Sequence, residues 1–356
     1  MARQLLRALE SDGSEVRLAS EYRSYTREPD EDRRLSSRQT ALHHATNIVR
    51  DWRAEAWIPD VWLSYHPYYK APDWIGPAVA NELSLVYMTA EASYAPRRSR
   101  DRWSAWHRES LPALQAAQCH FYMTDRDRIG LEALPRRVGQ LVHLPPFIET
   151  ESFAPAPVCA RRTNVRRLVV VAMMRDDVKL LSYRFLAEAL LLLEHLNWTI
   201  DVVGDGPARG DVVDAFSVFS NDRVTWHGLL DREGVRRVLS ASDLFVWPGF
   251  NEAYGLAYLE AQACGLPVVA QSSAGVSEVV KHEQTGLLTL ENDISAFAGS
   301  IDWFLANPER MQVFGKTAHA FVHEKRSLRR ARHILHSTIH SIVSPLGGHR
   351  DDGLFV

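Results

Sequence analysis

The chain has 356 residues, which suggests two domains at roughly 100–200 residues each. Its 46% hydrophobic and 24% charged residues exclude a disordered, collagenous or coiled-coil chain. With 41 basic against 44 acidic side chains the net charge is −3, so no nucleic-acid partner is expected.

Leu5, Leu6 and Leu9 share one face of a helix predicted over 2–11, which Asp12-Gly13 ends. Residues 16–20 read as a strand, the charged stretch 27–38 as a solvated loop, and 38–56 as a helix. A strand over 60–65 ends at His66, a helix covers 77–83, and a strand over 85–89 ends near Glu91. Then come a helix over 103–117, a strand over 119–124, a helix capped by Asp125 and a strand over 139–144. Proline and alanine give 153–164 a linker composition. Beyond it, strands at 168–172, 198–203, 224–227, 243–247 and 267–270 alternate with helices at 183–193, 231–240 and 257–264. Alternation of this kind predicts parallel sheets covered on both faces. The expected fold class is α/β, with two doubly wound Rossmann-like domains, 1–155 and 165–325, facing across a cleft. A C-terminal helix over 326–345 is expected to pack back on the first domain. A first domain of this type opens with a strand and a glycine-rich turn, whereas this chain begins inside the helix that would follow. The expectation is therefore a missing first strand and a true start roughly 15–30 residues upstream.

Cys119, Cys159 and Cys264 lie far apart, so neither a zinc site nor a disulfide framework is expected, which fits a reducing cytoplasm. The longest apolar run, 168–174, is far short of the ~20 residues of a membrane span. Arg97-Arg98-Ser-Arg100 and Arg136-Arg137 could meet anionic headgroups, giving a peripheral contact with the inner membrane surface. A solvated loop is the simpler reading of both clusters.

The densest chemistry lies in Pro248-Gly-Phe-Asn-Glu252-Ala-Tyr-Gly255-Leu256-Ala-Tyr-Leu-Glu260-Ala-Gln-Ala-Cys-Gly265-Leu-Pro267-Val-Val. Glu252 falls in a loop and Glu260 two turns into a helix. Gly255 and Leu256 stand at that helix's start, where backbone N–H groups suit a diphosphate. The two carboxylates suit the hydroxyl-rich parts of such a ligand, because they accept hydrogen bonds. Asp125-Arg-Asp127 formally matches an Asp-x-Asp metal pattern, but it opens a helix, where Asp is a favoured cap. No metal and no cofactor are expected. Tyr65, Tyr68, Tyr69 and Lys70 form an aromatic loop able to stack on a sugar.

Glu252-x7-Glu260, continued as Glu-Ala-x-Ala-x-Gly-x-Pro-Val-Val, resembles the donor-sugar signature of family 4 (group 1) retaining glycosyltransferases of the GT-B fold. Val202-Val-Gly-Asp-Gly-Pro207, the strand over 224–228, residues 242–248, Ser273-Ala-Gly275, Glu278 and Thr285-Gly-Leu-Leu288 resemble that family's flanking segments. The resemblance implies a nucleotide-sugar donor bound by the second domain and a glycan or lipid-linked acceptor served by the first. It implies Glu260 on the ribose, Glu252 on a donor-sugar hydroxyl, and Gly255 and Leu256 amides on the diphosphate. Gly228, Leu229 and Leu230 correspond to the nucleotide loop. Arg175 and Lys179 resemble the pair that neutralises the leaving diphosphate, though here Met174 precedes the arginine and the spacing is four rather than five. Glu91 stands where many relatives carry a histidine, so either Glu91 or His66 would act at the acceptor hydroxyl. The implied function is retaining sugar transfer in bacterial surface glycan or glycolipid synthesis. The alternative is a non-catalytic sugar-nucleotide-binding or scaffold protein.

Overall fold

The computed structural model describes residues 1–10, 14–153 and 165–345. They divide into two units, 1–145 with the residues from Ala331 on, and Pro146–Arg330. Asp12-Gly13, Cys159 and most of the linker stretch lie outside the described residues.

In the first unit α1 (Ala2–Leu9) buries Leu5, Ala8 and Leu9. Residues 16–20 do not form the expected strand. Side-chain contacts hold the segment instead: Leu18 is 63% exposed, Ala19 packs against the core, and Arg17 lies over the Trp57 ring and pairs with Glu15 and Glu55. Helix α2 (Glu31–Ala54) starts inside the charged stretch expected to be a loop. The Asp30 carboxylate accepts from Arg33 N at 2.6 Å, and Glu31 and Asp32 complement the positive helix end. Then follow β1 (Val61–Tyr65), α3 (Ile75–Leu83), β2 (Val86–Ala90), α4 (Ser104–Ala116), β3 (Cys119–Tyr122), α5 (Asp125–Glu132) and β4 (Gln140–His143). The strands pair in parallel in the order β1-β2-β3-β4, and Tyr65 lies opposite Ala90, so β1 and β2 end side by side. Tryptophans fill much of this core: Trp52, Trp62, Trp74, Trp103 and Trp106 belong to one buried cluster.

The second unit holds β5 (Arg166–Val171), α6 (Val178–Leu191), β6 (Trp198–Val203), α7 (Arg209–Phe216), β7 (Val224–Gly228), α8 (Arg232–Ser240) and β8 (Leu244–Val246). It continues with α9 (Leu256–Ala263), β9 (Val268–Gln271), α10 (Val276–Val279), β10 (Gly286–Thr289), α11 (Ile294–Ala306) and α12 (Pro308–Lys325). Its six parallel strands lie in the order β10-β9-β8-β5-β6-β7. Strand order therefore reverses between β5 and β8, and in open α/β sheets the crevice beyond such a reversal is where ligands bind. Central strands are dry: Val169, Val170, Phe245 and Val268 are fully buried.

The last helix, α13 (Leu328–Val343), belongs from Ala331 on to the first unit. There Leu335 and Ile339 are fully buried, and His336 Nε2 lies 3.3 Å from Ala8 O of α1. At its root Ile148 N donates to Arg326 O at 2.9 Å and Leu328 N to Ile148 O at 2.8 Å. Among the described residues no helix is long and apolar enough to cross a membrane.

Candidate active site

The site in the second unit is built on the loops that leave β5, β6 and β8. After β5 the chain turns at Ala172, whose carbonyl accepts from the buried Tyr183 hydroxyl at 2.8 Å. The β6 loop crosses directly over this turn. A Cβ on Gly204 would lie 1.9 Å from Ala172 O, so Val202-Val-Gly-Asp-Gly needs a glycine there for two backbones to meet. Asp177 then caps α6, its side chain accepting from Lys179 N at 2.8 Å, which starts the helix earlier than periodicity predicts.

Lys179 points from the first turn of α6 to the loop after β8. Its Nζ makes an ion pair with the Glu252 carboxylate and lies 5.5 Å from the centre of the Trp247 ring. Arg175 is half exposed, with Nε 3.6 Å from Asp177 Oδ2. The loop carrying Glu252 is fastened on three sides. Phe250 N donates to Ser182 Oγ at 3.1 Å, Asn251 N to Ser273 Oγ at 3.0 Å, and Gly275 N to Glu252 O at 3.2 Å. Gly255 ends the loop at φ 73°, where a Cβ would stand 2.7 Å from the Tyr258 ring. Tyr258 is buried below, its hydroxyl donating to Trp247 O at 3.1 Å. Gly255 offers no side chain to cap α9, so the helix starts with its Leu256 end presented to the loop.

About one turn further, Glu260 is partly buried, and loss of hydration pushes its carboxyl up to about 7, with the Arg232 charge opposing. Arg232 is itself held in an ion pair with Glu149 and sits 5.3 Å from the centre of the Phe153 ring. It follows Gly228, Leu229 and Leu230, of which Leu229 is 83% exposed. The structure thus brings Lys179 and Glu252 into contact and sets Glu260 within the electrostatic reach of the β7–α8 turn. Trp247, Tyr258, Arg232 and Glu149 are additions that sequence reasoning missed. The signal for Tyr258 was present, because an aromatic three residues after a helix-opening glycine has to fold under it.

The first unit holds the other group of expected site residues. His66 and Glu91 end adjacent strands, and both adopt left-handed backbone, φ 58° and 55°. Non-glycine residues held there are a sign of a constrained site. The Tyr65 hydroxyl donates to Glu91 Oε2 at 2.6 Å, and His66 Nδ1 lies 3.1 Å from Glu91 O. A carbonyl oxygen only accepts, so Nδ1 carries the hydrogen of this contact. Tyr65, His66, Tyr68, Tyr69 and Trp103 continue as a chain of ring contacts 4.7–5.8 Å apart.

Asp125 does not cap α5. Thr124 does, accepting from Asp127 N at 3.2 Å and donating to Asp127 Oδ2 at 2.7 Å. Asp125 points away to Arg128, while Asp127 turns inward, its carboxyl raised by burial and by the nearby Glu91 charge. The two carboxylates of this Asp-x-Asp therefore do not converge. Of the basic clusters, Arg98 is tied to Asp101 at 2.7 Å and Arg137 bonds to Gly139 O.

Residues 170–321, which lie in the second unit, match the family model for glycosyl transferases group 1. The two parallel-sheet units have the GT-B architecture. Sucrose-phosphate synthase from Thermosynechococcus elongatus superposes with TM-score 0.66 at 20% identity, covering 86% of this chain and 80% of that one. Anabaena HepE with UDP and glucose gives TM-score 0.65 at 16% identity, over 84% and 81%. Among sequence relatives, alpha-D-kanosaminyltransferase of Streptomyces kanamyceticus is 24% identical over 75% of this chain and 71% of its own length. D-inositol 3-phosphate glycosyltransferase of a Mycobacterium species is 32% identical over 48% of this chain and 40% of its own. The match to the latter is thus confined to less than half of either protein.

Proposed function

We propose that the protein is a retaining glycosyltransferase that moves a hexose from a nucleotide sugar to an acceptor hydroxyl in the making of a bacterial surface glycan or glycolipid. The observation that carries the reading is the meeting of Lys179, Glu252 and the start of α9 at the strand-order reversal of the second sheet. In this reading the ribose hydroxyls donate to Glu260, and a hydroxyl of the donor sugar donates to Glu252. The diphosphate lies on the Gly255 and Leu256 amides, and negative charge developing on it is met by Arg175 and Lys179. The positive charges take the part a metal would play. On the first unit, His66 Nε2 or the Glu91 carboxylate receives the acceptor hydroxyl, and the tyrosine-rich loop stacks on the sugar that carries it.

The reaction belongs in the cytoplasm, and the exposed Arg97 and Arg100 are available to an anionic membrane surface. The test is incubation with UDP- and GDP-sugars and a panel of glycan and lipid-linked acceptors. Nucleoside diphosphate release that depends on acceptor, with an α-linked product from an α-linked donor, is the expected result. A β-linked product overturns retention. Binding of the sugar nucleotide with no turnover on any acceptor favours a binding or scaffold role.

A further inference from the structure

We propose that Lys179 and Glu252 form an exchangeable ion pair that lets the site tell an intact sugar nucleotide from the nucleoside diphosphate left after transfer. The inference rests on the donor-site reading above. Lys179 rises from the first turn of α6 and Glu252 from the loop after β8, and their strands β5 and β8 are neighbours. Both side chains are less than a fifth exposed, and the ammonium is further shielded by the Trp247 ring. The ion pair therefore occupies the crevice where a diphosphate would sit.

A diphosphate that recruits Lys179 must draw the ammonium off Glu252. The main chain that carries the carboxylate is held in place, with Glu252 N donating to Gly249 O at 3.1 Å and Gly275 N to Glu252 O at 3.2 Å. A carboxylate left in a poorly hydrated position without its counter-charge is costly. The hydroxyls of a bound hexose remove that cost by donating to Glu252. A nucleoside diphosphate has no hexose and leaves Glu252 unmatched. An intact donor thus satisfies both halves of the broken pair and the spent donor only one. Once the sugar has left for the acceptor, re-formation of the Lys179–Glu252 pair works against retention of the diphosphate. The same two residues that bind the donor would then also hasten release of its remnant.

The experiment is calorimetric titration of UDP and GDP into the wild type, Glu252→Gln, Lys179→Met and the double variant. Glu252→Gln is expected to tighten nucleoside diphosphate binding 3- to 10-fold, and the tightening is expected to be smaller when Lys179 is already Met. Equal tightening in both backgrounds would mean that Lys179 stays with Glu252 in the bound state, and would overturn the proposal. So would unchanged or weaker binding. Glu252→Asp retains the charge but shortens the reach, so it should tighten binding too, and it serves if Glu252→Gln does not fold. If the wild type binds no nucleoside diphosphate, the donor-site reading itself fails and takes this inference with it.

Discussion

Glu260 sits partly buried on α9 with its carboxyl raised to about 7 from an ordinary value of 4.5. Between those values the folded protein holds a proton that the unfolded chain has released. Stability therefore declines as pH rises through this window, and the loss is complete above about 7. The shift corresponds to up to about 3 kcal/mol. Glu260→Gln should accordingly raise the urea midpoint at pH 8 and leave it unchanged at pH 4. The same variant loses a charge-assisted hydrogen bond of about 1.5–3 kcal/mol, so nucleoside diphosphate affinity at pH 8 should fall roughly 10- to 150-fold. Stabilisation together with unchanged affinity would remove Glu260 from the ribose. Glu252 and Glu260 could be read from spacing along one loop and helix. The partners of other site residues could not, because Lys179 lies 73 residues from Glu252, Tyr65 26 from Glu91, and Arg232 83 from Glu149. Only the order in which strands assemble decides such meetings, and no local pattern encodes it.

Among elements, α9 shows how a site can be legible before its fold is known. Gly255 was readable as the start of a helix. What forces glycine there is tertiary: positive φ, and the Tyr258 ring standing where a side chain would go. Gly255→Ala should cost about 1–3 kcal/mol of stability and lower donor affinity by shifting the amides of α9. Chemical denaturation and calorimetry on one preparation would measure both, and a fully stable variant would show that the loop tolerates another path. Strands buried on both faces, such as β5 and β8, were the easiest elements to find. Helix α2 starts earlier than its run of charge suggests, and Asp30 followed by Glu31 and Asp32 is a start signal. At 16–20 the short apolar alternation misleads in the opposite direction, since Leu18 stays exposed and no strand forms.

For the whole molecule, the proposal that Arg175, Lys179 and the start of α9 neutralise the diphosphate leads to an expectation about metals. Turnover should persist in excess EDTA, and a loss restored by Mn²⁺ would overturn that expectation. Division of the chain also has a measurable effect. Removing α13 by truncation after Lys325 strips the first unit of the fully buried Leu335 and Ile339. At about 1.5–3 kcal/mol for each buried aliphatic side chain, this should lower the stability of the first unit by several kcal/mol. Hydrogen exchange should then rise in α1 more than in the second sheet. Equal protection in both units would argue that α13 contributes little.

The placement of α13 also has a consequence for synthesis. Domains usually complete their folding in the order in which they leave the ribosome. Here the first unit has a part that arrives after the whole of the second, since the stretch of α13 that reaches Ala8 follows Arg330. The second unit is one uninterrupted stretch and has all its residues once Arg330 has emerged. The first has to wait, with the surface around α1 uncovered, until the residues from Ala331 on have emerged. The second unit can therefore complete its fold before the first, which still needs the residues from Ala331 on. Assembly of the first unit would then be completed only when α13 closes over α1.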